Sequence, residues 1–323
     1  MSAASSALWA DLEPLPLPGL GDTPGRFDAL FRHASASPAI ARLLEAHFDA
    51  VAILAELGID SPADWRLGVW AAGGPTPLDI VEVDGRRRLR GEKSWCSGAS
   101  LVSHALVSVG DGSASQLLLV DMSTEGIEIL QPDWVSEAFA EVDTRTVAFD
   151  IDIDACRFLG QPGWYLDRPG FWHGAVGVAA CWAGSAAGLV ARVADRWKTD
   201  PHAVAHLGAI DADVWSMLAV LHEAGREIDS APTDVHAAVR RARRLRHLVD
   251  VAAADITTRL ARALGPGPLA YQPDLHLVLS EVDLYRRQCH AERDLEALGR
   301  LVLDSPTPEL STPLTAPSAP ADV

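Results

Sequence analysis

The segment Gly91-Glu92-Lys93-Ser94-Trp95-Cys96-Ser97-Gly98-Ala99 stands where a strand pattern runs into a turn. Upstream of it, LDIVEV (78–83) is rich in β-branched residues, and Asp84-Gly85 is a hairpin dipeptide. RRRLRGEKSW (86–95) then supplies the return strand. A Trp beside a Ser at a strand edge can offer a flat apolar wall and a hydroxyl together. That pair suits a planar heteroaromatic ring with a polar edge. The same pair also reads as a core Trp followed by a turn Ser.

Further runs follow between turn signals: HALVSV (104–109), QLLLVDM (116–122), GIEIL (126–130) and RTVAFDID (145–152). So many short strands in so little chain predict a small barrel or sandwich over 66–160. Before it, PAIARLLEAHFDAVAILAEL (38–57) carries Ile40, Leu43, Leu44, Phe48, Val51 and Leu54 at helical spacing. Pro38 suits its first turn and Gly58 its stop. Residues 1–26 are rich in Pro, Gly and Ser and predict an extended arm, so 1–65 forms an N-terminal arm and helical region. Helices are predicted near 170–197, 202–229, 233–264 and 274–302, separated by Asp200-Pro201, Pro232 and Gly265-Pro266-Gly267-Pro268. Four long helices with short links predict an antiparallel four-helix bundle over 161–303. The Pro/Ser/Thr/Ala-rich end, 304–323, predicts a disordered tail. The class is α+β.

Charge narrows the functions. A net charge of −17 argues against partners rich in phosphate, both nucleic acid and anionic membrane surfaces. Cys96, Cys156, Cys181 and Cys289 lie far apart with no CxxC pair, which disfavours a zinc ribbon, a redox dithiol and a disulfide framework. The first residues lack the basic and apolar stretches of a signal peptide, so a cytoplasmic location is expected. Gly174–Ala191 is uncharged and long enough to span a bilayer, but its Ala and Gly content favours a buried central helix.

Familiar catalytic motifs are missing. His202 and His206 share a helical face, but no third metal ligand can be named and HExxH is absent, so no metal is expected. There is no GxSxG elbow, no GxxxxGK[ST] loop and no GxGxxG after a strand. The basic run Arg240, Arg241, Arg243, Arg244, Arg246 and His247 reads first as a solvated helix face, and second as a binder of nucleotide or coenzyme phosphates.

GEKSWCSGAS (91–100) resembles the "G-x-K-x-W-I-T/S-N-(G/A)" segment of acyl-CoA dehydrogenases. The order of parts is similar too: a helical N-terminal region, a small β domain and a C-terminal four-helix bundle. Further echoes are AHFDAVAILAELG (46–58), Gly174–Trp197, HLGAIDADVWSMLAVLHEAGREID (206–229) and LYRRQCHAERDLEALGR (284–300), so the resemblance spans about 38–302. It implies FAD, with Trp95 and Ser97 against the flavin ring and Cys96 in the place of the usual Ile. It places Thr76 near the pyrophosphate, with Gly73 and Gly74 allowing close backbone approach. It also implies a small-molecule substrate of the acyl-CoA kind and a homodimer or homotetramer.

Two departures matter. Val69–Leu78 lacks the Thr, Glu and Pro of the family's "T-E-P-x-x-G-S-D", and the base-bearing "Y-E-G-T" segment is missing. Tyr285–Asp294 is instead similar to the flavin monooxygenase branch of the superfamily, which makes His290 the acid/base candidate. Arg287 and Asp294 would share its helical face, with Asp294 orienting it and raising its pKa. The resemblance thus implies an FAD-dependent oxidoreductase of the acyl-CoA dehydrogenase type. The alternatives are a binding or assembly module that keeps only the fold, and a monooxygenase that uses reduced flavin.

Overall fold

The computed structural model describes residues 12–75, 77–110 and 114–304. Thr76 and, of the tail expected over 304–323, all residues after 304 lie outside the described residues. Two helices open the described chain. α1 (Thr23–Ala36) begins inside the region read as an arm. The Asp22 carboxylate caps it by accepting from the Gly25 amide, and Pro24 suits its first turn. A Pro and a Gly at its start hid it from a periodicity search. α2 (Pro38–Glu56) is capped by Ser37 and fills the predicted 38–57 span.

Eight strands follow: β1 (Leu67–Trp70), β2 (Leu78–Val83), β3 (Arg86–Cys96), β4 (His104–Val109), β5 (Gln116–Asp121), β6 (Ile127–Ile129), β7 (Arg145–Asp152) and β8 (Cys156–Leu159). They form two four-stranded sheets, ordered β1-β4-β5-β8 and β2-β3-β7-β6. β1 runs parallel to β4, and the other pairs are antiparallel. The sheets face each other across a core that includes Trp70, Val107 and Leu118 from one and Leu89, Val147 and Phe149 from the other. The opposite face of the first sheet, with Leu106, Leu117 and Leu159, packs on Ala50, Ile53 and Leu54 of α2. That sheet is therefore buried on both sides, which is why HALVSV and QLLLV read as near-continuous apolar runs. β1 and β8 are too short for their pattern to register in sequence.

The remaining helices are α3 (Trp164–Asp167), α4 (Pro169–Arg192), α5 (Pro201–Ser230), α6 (Val235–Leu264), α7 (Pro266–Tyr271), α8 (Pro273–Arg286) and α9 (Glu292–Leu303). α4 is central. By length and composition α4 and α5 could each cross a membrane, but most of the apolar stretch of α4 is buried inside the protein. A Cβ on Gly184 would sit 2.1 Å from the Phe31 carbonyl oxygen, and one on Gly188 2.3 Å from that of Ser35. The α1 backbone therefore rests directly on α4, and the Ser35 hydroxyl donates to the Gly184 carbonyl at 3.0 Å. The small residues of α4 serve helix contact. One expectation is corrected: the helix predicted over 274–302 is broken between Arg286 and Glu292. Arg246 of α6 draws the Gln288 carbonyl to its Nη2 at 2.6 Å, and Ala291 takes φ +43, so helical bonding stops there.

Candidate functional site

The end of β3 is built around one extra residue. Lys93 pairs with Val147 and Cys96 with Arg145, so three steps on β3 match two on β7, a β-bulge. Its flanks are fixed. The buried Lys93 ammonium donates to the Ser108 carbonyl at 2.8 Å and its hydroxyl at 2.9 Å, tying the two sheets together. The Cys96 thiol donates to the Lys93 carbonyl at 3.1 Å, and burial pushes its pKa up to about 12. Between these anchors Trp95 is thrust outward at φ +63, with its side chain 57% exposed. Its ring stands edge-on to Trp134, centroids 6.2 Å apart.

Ser97 lies buried behind the bulge. Its hydroxyl is shared with that of Thr144 at 3.3 Å, and its carbonyl accepts from the Trp70 indole at 3.0 Å. The β1–β2 loop comes up beside them: a Cβ on Gly74 would lie 3.0 Å from the Ser94 hydroxyl oxygen, whereas one on Gly73 would meet open space. The structure thus brings Trp95, Ser97 and Gly74 into one neighbourhood, with Gly73 next to it.

Sequence reasoning missed the segment that joins this neighbourhood to the helices. The Trp134 indole donates to the Ala138 carbonyl at 2.9 Å. Phe139, at φ +59, sets its ring edge-on to Tyr285 of α8 at 5.4 Å. The Phe139 amide donates to the Glu281 carboxylate at 3.4 Å, and burial raises the pKa of that carboxyl. A cleft of about 220 Å³ opens between Ser136–Ala138 and His276, Leu277 and Ser280 of α8. Trp134, Phe139 and their neighbours follow neither helical nor strand spacing in the link between β6 and β7, so no periodicity pointed to them.

His290 sits in the turn between α8 and α9, not on a helix. Its side chain is 60% exposed, with Nδ1 3.7 Å from the Asp294 carboxylate. The Asp294 carboxylate also accepts from the His290 amide at 3.3 Å. Arg287 turns back to Asp283 at 3.0 Å, so the expected face shared by Arg287 and His290 does not exist. Behind the turn, Arg246 lies in the fields of Cys289, Asp294 and Glu45. Glu45 of α2 is buried near Arg42, Asp49 and Arg26, and burial pushes its pKa up to about 7.

Backbone strain marks the same region. Among the described residues, five non-glycine residues have positive φ. Asp84 sits in the hairpin turn, Trp95 in the bulge, Phe139 and Asp143 in the segment between β6 and β7, and Ala291 in the turn between α8 and α9. Such conformations cost about 1–3 kcal/mol each and persist where surrounding structure holds them.

The basic run on α6 also departs from expectation. Arg241 is buried and paired with Glu227 at 2.7 Å, Arg243 lies over Trp172, and Arg246 lies over Trp182. Three of these guanidinium groups are drawn inward, because long side chains can cover aromatic faces while keeping polar partners. His202 is exposed at the capped start of α5. Among the described residues, no group of three or more His, Cys, Asp or Glu is placed to hold a metal ion.

No protein-family model matches the chain, and no curated protein matches it in sequence. Solved structures do. TdsC from Paenibacillus sp. A11-2, a dibenzothiophene monooxygenase, solved with FMN and indole, is 19% identical, with a TM-score of 0.73 over 90% of this chain and 86% of that one. KijD3, in complex with FMN and a dTDP-linked amino keto sugar, is 17% identical, with a TM-score of 0.71 over 85% and 78%. The methanesulfinate monooxygenase MsuC from Pseudomonas fluorescens is 18% identical, with a TM-score of 0.71 over 88% and 84%. With helices before a two-sheet β unit and a helical assembly after it, the chain has the acyl-CoA dehydrogenase-like fold, in a divergent form.

Proposed function

We propose that the chain is a flavin-dependent monooxygenase that takes up reduced FMN and acts on a small molecule. The observation that carries this is Trp95: a large aromatic ring held out at a strained, bulged position instead of buried. The residues around it fit a flavin, with an exposed ring face, open space above Gly73 and a backbone pinned from behind through Ser97. TdsC and KijD3 were solved with FMN, which favours FMN over the FAD of the family resemblance. TdsC and MsuC are monooxygenases, which favours that chemistry over dehydrogenation of an acyl thioester.

Bound in its reduced form, a flavin supplies the two electrons with which dioxygen delivers one oxygen atom to a substrate and the other to water. The protein's own part is positional. Trp95 offers the wall, Gly73 and Gly74 let the backbone approach, and Ser97 with Thr144 holds the bulge in place. His290, whose Nδ1 faces Asp294, carries a proton at Nε2 toward the reacting group. A homo-oligomer belongs to the same reading. Val204, Leu207 and Trp215 of α5 and Leu248 and Val251 of α6 are exposed on neighbouring helices, and size-exclusion chromatography tests whether a second copy covers them.

The test is oxygen uptake by the purified chain. Uptake that requires both the protein and added reduced FMN is expected. Bleaching of bound flavin by an acyl thioester, without any need for oxygen, would overturn the reading in favour of a dehydrogenase. Failure to bind oxidised or reduced flavin would leave only a binding or assembly role.

A further inference from the structure

The outward ring of Trp95 is met edge-on by Trp134, so whatever fixes Trp134 also fixes the wall. Trp134 lies in the link between β6 and β7, and this link has little packing of its own. Val135 is almost wholly exposed, and Ser136 and Glu137 are exposed beside it. The cleft of about 220 Å³ parts Ser136–Ala138 from His276, Leu277 and Ser280 of α8, so side-chain packing does not hold this stretch.

Hydrogen bonds hold it instead. The end of the link is tied to the β unit: the Gly98 amide donates to the Val142 carbonyl at 2.9 Å, and the Ser100 amide to the Asp143 carboxylate at 3.1 Å. Between 134 and 140 the bonds stay within the link. The Trp134 indole donates to the Ala138 carbonyl, the Ala138 amide to the Ser136 hydroxyl at 3.1 Å, and the Ala140 amide to the Glu137 carbonyl at 3.1 Å. Among the described residues, the one bond that leads from 134–140 out of the link runs from the Phe139 amide to the Glu281 carboxylate at 3.4 Å. Phe139 takes φ +59, a conformation that a bulky residue keeps only where its surroundings hold it. Glu281 is buried, on a helix anchored at its end by the Arg286–Asp250 ion pair, with Val278, Val282 and Tyr285 in the helical core. A fixed helix thus grips a strained backbone five residues from Trp134. Burial is the largest influence on the Glu281 carboxyl and raises its pKa, yet carboxylate, carboxylic acid and carboxamide all present an acceptor oxygen to the amide.

We propose that Glu281 is a positioning residue of the flavin site: by holding Phe139 against α8 it fixes the link through Trp134 and so sets Trp95 as the wall. Its consequence for flavin rests on the function proposed above; the hold on Trp134 rests on the geometry alone.

The test compares Glu281→Leu, which removes the acceptor, with Glu281→Gln, which keeps it, both in the full chain. In the flavin-free protein, the coupling of the two indoles is read as the part of the circular dichroism spectrum lost in Trp95→Phe. Glu281→Leu should remove most of that signal, and Glu281→Gln should keep it. Tm should differ little between the two, since leucine loses the burial cost of the carboxyl along with the hydrogen bond. Flavin affinity should fall about three- to fivefold in the leucine variant and stay within about twofold in the glutamine variant. In a Trp95→Gly background the leucine substitution should cost no further affinity, because the wall it positions is gone. Should leucine crowd the site and fold poorly, Glu281→Ala gives the same comparison. An undiminished dichroism signal in a folded leucine or alanine variant overturns the proposal. So does an equal loss in Glu281→Gln, or a full further loss of affinity in the Trp95→Gly background. A chain that shows the dichroism response but binds no flavin overturns the flavin reading and the residue's role in it, while the hold on Trp134 stands.

Discussion

Replacing Trp95 with glycine separates stability from binding. Burial normally makes a Trp truncation cost about 3–5 kcal/mol. Here the expectation is different. At φ +63 the L-residue carries about 1–2 kcal/mol of left-handed strain, which glycine does not. Against that stand about 0.5–1 kcal/mol for the extra freedom of glycine in the unfolded chain. The edge contact with Trp134 contributes a further 0.5–1.5 kcal/mol, roughly. These terms nearly cancel and leave the loss of the covered part of the indole, so Trp95→Gly should cost about 1–2 kcal/mol of unfolding free energy, a Tm shift of about 2–3 °C in a chain of this size. Flavin affinity should fall at least about fivefold, since ring stacking contributes about 1–3 kcal/mol in comparable aromatic sites. Urea melts read the first quantity, and titration of flavin fluorescence reads the second. A loss of stability of about 3 kcal/mol would show that Trp95 packs as a core residue. Unchanged flavin affinity would remove the ring as a wall of the site.

Other outcomes follow from buried charge and from the turn. Burial pushes Glu45 up to about 7, so between its unfolded value and about pH 7 the folded chain holds a proton that the unfolded chain has released. Stability from this group therefore falls as pH rises through that window. Glu45→Gln should raise Tm more at pH 8 than at pH 5, by at most about 3 kcal/mol of unfolding free energy, and equal gains at both pH values would refute the shift. Glu56→Gln removes the carboxylate charge that faces the buried Arg168 at 2.6 Å and should cost about 2 kcal/mol in urea melts. His290→Ala should leave Tm unchanged, because the side chain is mostly exposed, yet lower turnover by about 10²–10⁴ if the imidazole carries the proton. Full turnover in that variant removes His290 from the chemistry.

Much of the fold was legible because the deciding signals were local. Asp84-Gly85 with its flanking strands, and the runs at 104–109 and 145–152, appear where the sequence put them. The class followed from those runs and the helices after them, and the family resemblance from GEKSWCSGAS (91–100) and the order of the parts. What escaped were features set by distant partners. α1 is visible only once Gly184 and Gly188 make a bed for it. The break after Arg286 depends on Arg246 of another helix reaching the Gln288 carbonyl. At the site, the motif pointed to Trp95, but its outward turn comes from Lys93 being anchored on Ser108, a residue of the opposite sheet. Trp134 and Phe139 had no pattern to announce them. The arginines of α6 looked solvated because aromatic faces and carboxylates on other helices cannot be seen in a single stretch of sequence.

The bed that α4 provides for α1 has a consequence during synthesis. Ser35 meets Gly184 across 149 residues of chain. At about 5–20 residues per second, the ribosome needs roughly 7–30 s to make that stretch. Throughout that interval α1 and the apolar side of α2, with Phe27, Leu30, Leu44 and Phe48, have emerged without the helix that buries them. The β sheets can cover only the later part of α2, at Ala50, Ile53 and Leu54. The nascent N-terminus is thus a waiting surface, and the step that closes the fold is the arrival of a glycine-lined helix from the second half of the chain.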